Sequence, residues 1–579
     1  MFRSFLCFKQ QLSSVVKSSE VPSNNLPSPT FPTFIAHPTL TTMNKIHQAQ
    51  LRDDLFRHLD GLVTAPTAFA LYQKGVTTHL LKEKSVLLAD LAAHFGANEG
   101  YLNVALRVLA SQGWLTHTIE AEDQIRISTN TLSEQAFGLI PLYKDVVHLN
   151  RLSGNFHRRK FEKEPFLVLE RMTADYQNRF GMPPSDNIET QRLQNQVLKH
   201  VEGMIVGPTL VALSMNGMFH KYFMEASFKP EEFHEDAESF KRLLDIFVYL
   251  GWFQKRNDTY QFTDKGLFFA RRASAYGVTV SYLPMFRQID ELVFGNPNIF
   301  WDLPPGAREM HVDREMNVWG SGGAHANYFK VVDDIIIHLF NQPIEAQPKG
   351  IVDMGCGNGA FLIHLFDVIE QRTLRGTMLE EYPLFLVGAD YNQAALKVSR
   401  ANIIQADIWA KVIWGDIGRP DLLADDLREN YGIELKDLLN TRTFLDHNRP
   451  WTEPTERTSA RSSSSTGAFA YRGRHLHNAE VEDNLREHFL KWVPYVSRFG
   501  LLLIELHTIP PALTAANLGK TAATAYDATH GFSDQYIVEI DVFKNVAAEA
   551  GLALSEKHAA RFPNSNLATV SIHLLESNS

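Results

Sequence analysis

Cysteine is almost absent from this chain. Its 579 residues include two, Cys7 and Cys356, so no disulfide framework holds it together and a reducing compartment such as the cytoplasm suits it. A basic excess is also missing. The 56 Lys and Arg stand against 66 Asp and Glu, for a net charge of −10, which argues against a general nucleic-acid binder. No apolar run reaches the ~18 residues of a membrane span, so no membrane partner is expected. Phe385-Leu386-Val387 and Leu501-Leu502-Leu503-Ile504 are short and look like buried strands. The first 42 residues lack acids, with Glu20 alone against Arg3, Lys9 and Lys17. That composition suits an organelle transit peptide. A disordered tail, or an upstream extension before a start at Met43, fits it as well.

What is present divides the chain in two. At ~150 residues per domain the length allows three or four domains. The N-terminal half carries a weak repeat. Pro66-Thr67-Ala68-Phe69-Ala70-Leu71 leads to Gly75, and Pro208-Thr209-Leu210-Val211-Ala212-Leu213 leads to Gly217 at the same spacing. Leu106, Leu109, Gly113 and Trp114 then match Leu244, Phe247, Gly251 and Trp252. Each copy reads as helices, a helix ended by a glycine cap, and a hairpin, over 114–128 and 252–263. This is a winged-helix outline. The helix expected over Glu99–Gln112 has Arg107 as its one Lys or Arg, so packing or homodimerisation fits it better than DNA recognition.

The organisation expected is a disordered or targeting segment 1–42, a winged-helix-like unit 43–135, a helical connector 136–205, a second unit 206–275, a linker and lid helix 276–345, and an α/β domain 346–579. In the last, strands alternate with helices as in a doubly wound sheet. The strands predicted are 350–354, 384–390, 410–414, 438–444 and 499–506, with an antiparallel pair near 554–561 and 568–575. Arg457–Thr466, rich in Ser and Arg, predicts a mobile loop.

The most informative stretch is Val352-Asp353-Met354-Gly355-Cys356-Gly357-Asn358-Gly359. It reads as a strand, a tight loop and a helix whose N–H groups aim at one spot. Glycines there let the backbone approach a ligand. The dinucleotide fingerprint G-x-G-x-x-G is not met, because Ala360 holds the third glycine's place. The second strand ends in Asp390 with Tyr391 after it, where a carboxylate can take ribose hydroxyls. The third ends in Trp414-Gly415-Asp416-Ile417, an acid and an apolar residue beside the place for a base. Cys356, between loop glycines with no evident His partner, reads as a packing residue.

As a set, these residues resemble the first three cofactor motifs of class I S-adenosylmethionine (SAM)-dependent methyltransferases. The resemblance implies a Rossmann-like domain with a seven-stranded sheet. It also implies that Asp353, Gly355, Gly357 and Gly359 lie near the methionine part of SAM, Asp390 near ribose, and Asp416 near the adenine amino group. Tyr391, Ile417 and Tyr328 are added as cofactor neighbours. The Gly-rich segment Asn317–His325 before Tyr328 reads as a lid contact or a linker turn.

Substrate lies beyond strand C-termini in such sheets. Asp446 and His447 follow the fourth strand, His507 the fifth, and His530 and Gln535 the next loop. Two readings fit. His447, His507 or His530 acts as a general base, or two His and a carboxylate hold a divalent metal (Fe or Mn) that stabilises an enolate. The Thr441–Arg449 stretch, the Trp319–His325 segment and the His507 to Gln535 series resemble the iron-carrying methyltransferase domains of polyketide synthase loading modules, of the apratoxin type. That implies C-methylation of an acyl group on a carrier protein, although no carrier region is seen here. A small free substrate is the alternative. O-methylation with a His base, a SAM- or metabolite-sensing regulator and a catalytically silent partner remain as rival functions.

Overall fold

A computed structural model describes residues 45–152, 163–217, 227–304, 307–457 and 462–577. The segment 1–42 therefore lies outside the described residues. The N-terminal half is built on helices α1 (Lys45–Lys74), α2 (Glu99–Ser111), α3 (Ile188–Met215) and α4 (Ala237–Tyr249). Hairpins follow α2 (Leu115–Ile119 with Ile125–Thr129) and α4 (Phe253–Arg256 with Thr259–Phe262). The first gains a third strand, Ser85–Leu87. Gly113 and Gly251, which end the two helices, both have positive φ, and Trp114 and Trp252 behind them are buried.

The repeat runs deeper than its prolines and glycines suggested. α1 and α3 cross at Gly61 and Gly203. A Cβ on Gly61 would lie 2.4 Å from the His200 Cα, and one on Gly203 would lie 2.4 Å from the His58 carbonyl oxygen. His58 and His200 stand one turn before their own glycines, so each helix presses its glycine on the other's histidine. The mirroring extends outward. His58 Nδ1 meets the Tyr276 hydroxyl at 2.8 Å, and His200 Nδ1 meets the Tyr143 hydroxyl at 2.7 Å. α3 is long and apolar enough to cross a membrane by composition, and 78% of its apolar window is buried inside the fold. Its apolarity serves this helix–helix core.

The main sheet of the C-terminal half has seven strands among the described residues: β1 (Gly350–Met354), β2 (Phe385–Asp390), β3 (Ala410–Trp414), β4 (Leu439–Thr443), β5 (Leu501–Leu506), β6 (Leu552–Phe562) and β7 (Val570–Ser577). The order across the sheet is β6-β7-β5-β4-β1-β2-β3. The five strands from β5 to β3 are parallel, and β7 runs antiparallel between β5 and β6. Strand order reverses between β1 and β4, the switch point where such sheets bind ligands. Both faces are covered. Ile351 packs in one core with helices α5 (Arg314–Phe340) and α6 (Ala360–Arg372), while Val352 and Met354 pack in another with α7 (Asn478–Val496). Double burial explains the apolar runs in β2 and β5, and each fully buried Leu or Phe contributes roughly 1.5–3 kcal/mol.

Two expectations need correction. The Gly-rich segment Asn317–His325 is not a linker turn; it lies inside α5. Its glycine Gly320 lets α5 cross the helix Ser274–Ser281 at Gly277, where added Cβ atoms would lie 2.6–2.7 Å from the facing backbone. The Arg457–Thr466 loop is held rather than loose at its described end. Ser463 donates to Glu482, and the Thr466 N–H and hydroxyl each donate to Glu539 at 2.7 Å. Residues 458–461 of it lie outside the described residues.

Candidate functional site

The loop between β1 and α6 forms as the glycine pattern demands. Gly355, Gly357 and Gly359 have φ of 77°, 55° and 79°, a region that side chains disfavour. A Cβ on Gly355 would press on Leu445 and one on Gly359 on Ser399, but one on Gly357 would have only the Gly355 carbonyl, at 4.0 Å. Gly357 therefore faces open space at the head of α6, whose first N–H groups point the same way. Asp390, at the end of β2, accepts the Gly357 N–H (3.0 Å) and the Asn392 N–H (2.8 Å). Burial raises its carboxyl above the usual range despite those donors. Asp353 is buried, takes the Thr441 hydroxyl at 3.2 Å, and is pushed up by burial to about 8.

Asp416 is half-buried and accepts the Gly418 N–H at 2.8 Å; Ile417 beside it is buried. Tyr391 is 67% exposed, its ring 5.7 Å from that of Trp414. Tyr328 sits further round, its ring against Phe444 and Phe562. Cys356 is buried, donates to Ser399, and burial pushes its thiol pKa up. It has no nucleophile's surroundings.

Beyond β4 and β5 two histidines meet. His447 Nδ1 donates to Glu505 Oε1 at 2.5 Å, since a carboxylate only accepts. Glu505 also takes the N–H groups of Asp446 and Leu506, at 2.8 and 2.7 Å. His530, on helix α8 (Ala523–Gly531), donates from Nδ1 to the Tyr526 carbonyl at 2.8 Å. Burial, with His447 alongside, takes His530 down to about 3. The two rings lie edge to face with centroids 4.9 Å apart. Both Nδ1 protons are thus committed inside the protein, leaving each Nε2 with a lone pair. Leu445, two residues before His447, touches Gly355 and ties this pair to the glycine loop.

Residues 309–573 match the model of the AprA MT2-like methyltransferase domain, 202–296 that of the AprA winged helix domain, and 51–117 that of the AprA N-terminal domain. The chain is a SAM-dependent methyltransferase related to AprA. Similar solved structures include the mitomycin 7-O-methyltransferase MmcR (11% identity, TM-score 0.39, covering 67% of this chain and 99% of that one). An O-methyltransferase family protein from Burkholderia thailandensis has 13% identity, a TM-score of 0.35, and coverage of 69% and 100%. The CurJ carbon methyltransferase has 12%, 0.29, and 71% and 99%. Likenesses at these values carry nothing about the acceptor. No curated protein matches the chain.

The remaining residues expected at the site of this methyltransferase lie elsewhere or are occupied. His507 donates from Nδ1 to the Val538 carbonyl at 3.0 Å and meets the Ser571 hydroxyl at 2.6 Å through Nε2, so neither nitrogen is free for a proton or a metal. Asp446 is fully buried and held by Arg442 and, at 3.0 Å, by His488. Burial opposes its charge, but the Arg442 guanidinium and the His488 hydrogen bond outweigh burial and keep its carboxyl below the usual range. The amide of Gln535 donates to the Tyr282 hydroxyl at 3.1 Å and to Ser533 at 3.2 Å. Among the described residues no three His, Cys, Asp or Glu side chains are grouped to hold a metal ion. The iron implied by the resemblance therefore does not fit this donor set. A carboxylate already charge-paired to a buried guanidinium and a histidine with both nitrogens engaged are poor ligands.

Glu505 is the member of this cluster that sequence reading missed. Its signal was a lone carboxylate in the apolar run Leu501–Leu506.

Proposed function

We propose that this methyltransferase methylates an acidic carbon beside a carbonyl, in a small acyl or polyketide-like molecule, free or carried by a separate protein, with His447 as general base. The observation that carries it is the Glu505–His447 pair tied to the cofactor loop. When bound, SAM supplies an electrophilic methyl group on a sulfonium sulfur. Gly355, Gly357 and Gly359 would line its methionine part, with Asp353 behind them. Asp390 would accept from the ribose hydroxyls. Asp416 and Ile417 would meet the adenine, and Tyr391 and Tyr328 would flank the cofactor.

His447 Nε2 takes the acceptor's proton as the carbon–methyl bond forms and the methyl–sulfur bond breaks, its electrons staying on sulfur. Glu505 faces the imidazolium that results and holds the ring in the productive tautomer, as a carboxylate does behind a catalytic histidine. The His530 ring lies beside His447, with the Tyr282 ring 6.4 Å from it. No step needs a metal.

O-methylation is a second reading, favoured by two adjacent histidine rings, 4.9 Å apart, each with its Nδ1 proton committed, which suit an acceptor bearing exchangeable hydroxyl protons. The test is incubation with SAM and two probes, S-malonyl-N-acetylcysteamine and catechol, with products read by mass spectrometry. Methylation at carbon of the malonyl probe is expected. Methylation of catechol alone would replace the first reading by the second. His447→Ala should lower turnover by about 10²–10⁴-fold with unchanged affinity for S-adenosylhomocysteine; full activity in that variant would refute the base.

A further inference from the structure

One side chain of the N-terminal half is buried in the methyltransferase half. Arg107, on α2, is 2% exposed. Its Nε donates to Asp527 at 2.9 Å, its Nη2 to the Thr508 hydroxyl and the Ile509 carbonyl at 2.9 Å each, and its Nη1 to the Thr466 carbonyl. Asp527 belongs to α8, the helix of His530. Thr508 follows Glu505 by three residues and itself donates to Asp527 at 2.7 Å. One guanidinium thus joins the strand end that orients His447 to the helix that carries His530.

The rest of α2 reinforces the contact. Ser111 and Gln112 donate to Thr524 at 3.1 and 2.9 Å, and Tyr101 donates to Asp534 at 2.7 Å. A Cβ on Gly531 would lie 2.8 Å from Val104. The face of α8 marked by Thr524, Asp527 and Gly531 therefore rests on α2, while His530 projects from another face.

The second copy shows that this is no requirement of the winged-helix unit. Asp245 stands as far before Gly251 as Arg107 stands before Gly113. It is half-exposed and pairs with Lys255 and the Tyr260 hydroxyl within its own unit. The positions of Tyr101, Ser111 and Gln112 are taken there by Ser239, Tyr249 and Leu250.

We infer that α2, the helix a DNA-binding winged helix would place in a groove, is a positioning element for methyl transfer, and that Arg107 sets His530 relative to the Glu505–His447 pair. This rests on the base assignment proposed above, and its test separates the two. Parent, R107M and the double variant R107M/D527L are compared by hydrogen exchange of the 523–534 peptide, melting temperature, S-adenosylhomocysteine calorimetry and turnover of the malonyl probe. In the double variant no lone charge remains buried, so the melting temperature should return to within about 3 °C of the parent. Exchange in 523–534 should nonetheless stay accelerated by about tenfold or more and turnover depressed by about tenfold, since a misplaced group costs rate steeply. S-adenosylhomocysteine affinity should stay within about twofold of the parent. Recovery of parent exchange in the double variant would overturn the inference, leaving Arg107 a mere counter-ion for Asp527. A parent that ignores the malonyl probe would count against the proposed acceptor, while the exchange result would still decide the role of Arg107.

Discussion

The two winged-helix units share a plan and differ in what they touch. In the first, every residue of α2 from Gly100 to Ser111 is buried. In the second, α4 leaves Tyr249 49% exposed and keeps Asp245 in a surface ion pair. The same helix in the same local fold is a core element in one copy and a solvent-facing one in the other. Helix length, 13 residues in each, does not separate them. The identity of the neighbour does, and the residues on the outer face follow it: arginine, glycine and tyrosine against the methyltransferase half, charged and half-exposed groups against water.

Mutations can break this comparison in order of expected effect. R107M leaves buried Asp527 without its guanidinium partner, and breaking such a pair costs about 3–5 kcal/mol; urea denaturation should show it. Gly61→Val and Gly203→Val should each lose about 1–3 kcal/mol by overpacking, and by similar amounts, since the helices meet through mirrored contacts. Unequal losses would show that the mirror is only geometric.

A subtler asymmetry lies beside those glycines. Asp60 precedes Gly61 as Glu202 precedes Gly203. Burial pushes Asp60 up to about 7. Burial also opposes the charge of Glu202, but His58 and Lys199 prevail and hold it well below the usual range. Between about pH 4 and pH 7 the folded chain therefore holds a proton on Asp60 that the unfolded chain has lost, and its stability falls as pH rises. Glu202 acts the other way: its contribution is full above the ordinary carboxylate range and is lost as pH falls from there toward its own depressed value. Asp60→Asn should flatten the decline toward neutral pH, read as a smaller difference in unfolding free energy between about pH 5 and pH 8. The smallest effect belongs to Asp245→Ala, under about 1 kcal/mol for a solvent-screened pair, with no change in hydrogen exchange at 523–534.

Much of this was visible in the sequence. The glycine loop and the strand-end acids stood out because backbone geometry restricts those positions to few residues. Strands β2 and β5 stood out because burial on both faces favours apolar runs. His447 and His530 were expected near one another, since topology places the loops after β4 and β5 at one end of the sheet. Glu505 was passed over because a buried strand carboxylate has no local motif; its partner comes from another strand. His507 was overrated for a related reason. Its distance from Glu505 in sequence gives no sign that it turns toward Val538 and Ser571. The repeat was seen at Pro66 and Pro208 but not at Gly61 and Gly203, which stand at the same offset but show their use only where the helices cross. The Gly320 region misled because glycine clusters signal loops locally, whereas here tertiary contact requires them within a helix.

The crossing of α1 and α3 has a consequence for how such a chain can change. Two identical subunits meeting at a two-fold axis must bear every alteration at that seam twice. Here both sides of the seam belong to a single polypeptide, so either side can vary while the other stays fixed, and the junction forms at any dilution. That freedom is what allows one half of a near-symmetric pair to take up Arg107 and serve a reaction in which its twin has no part.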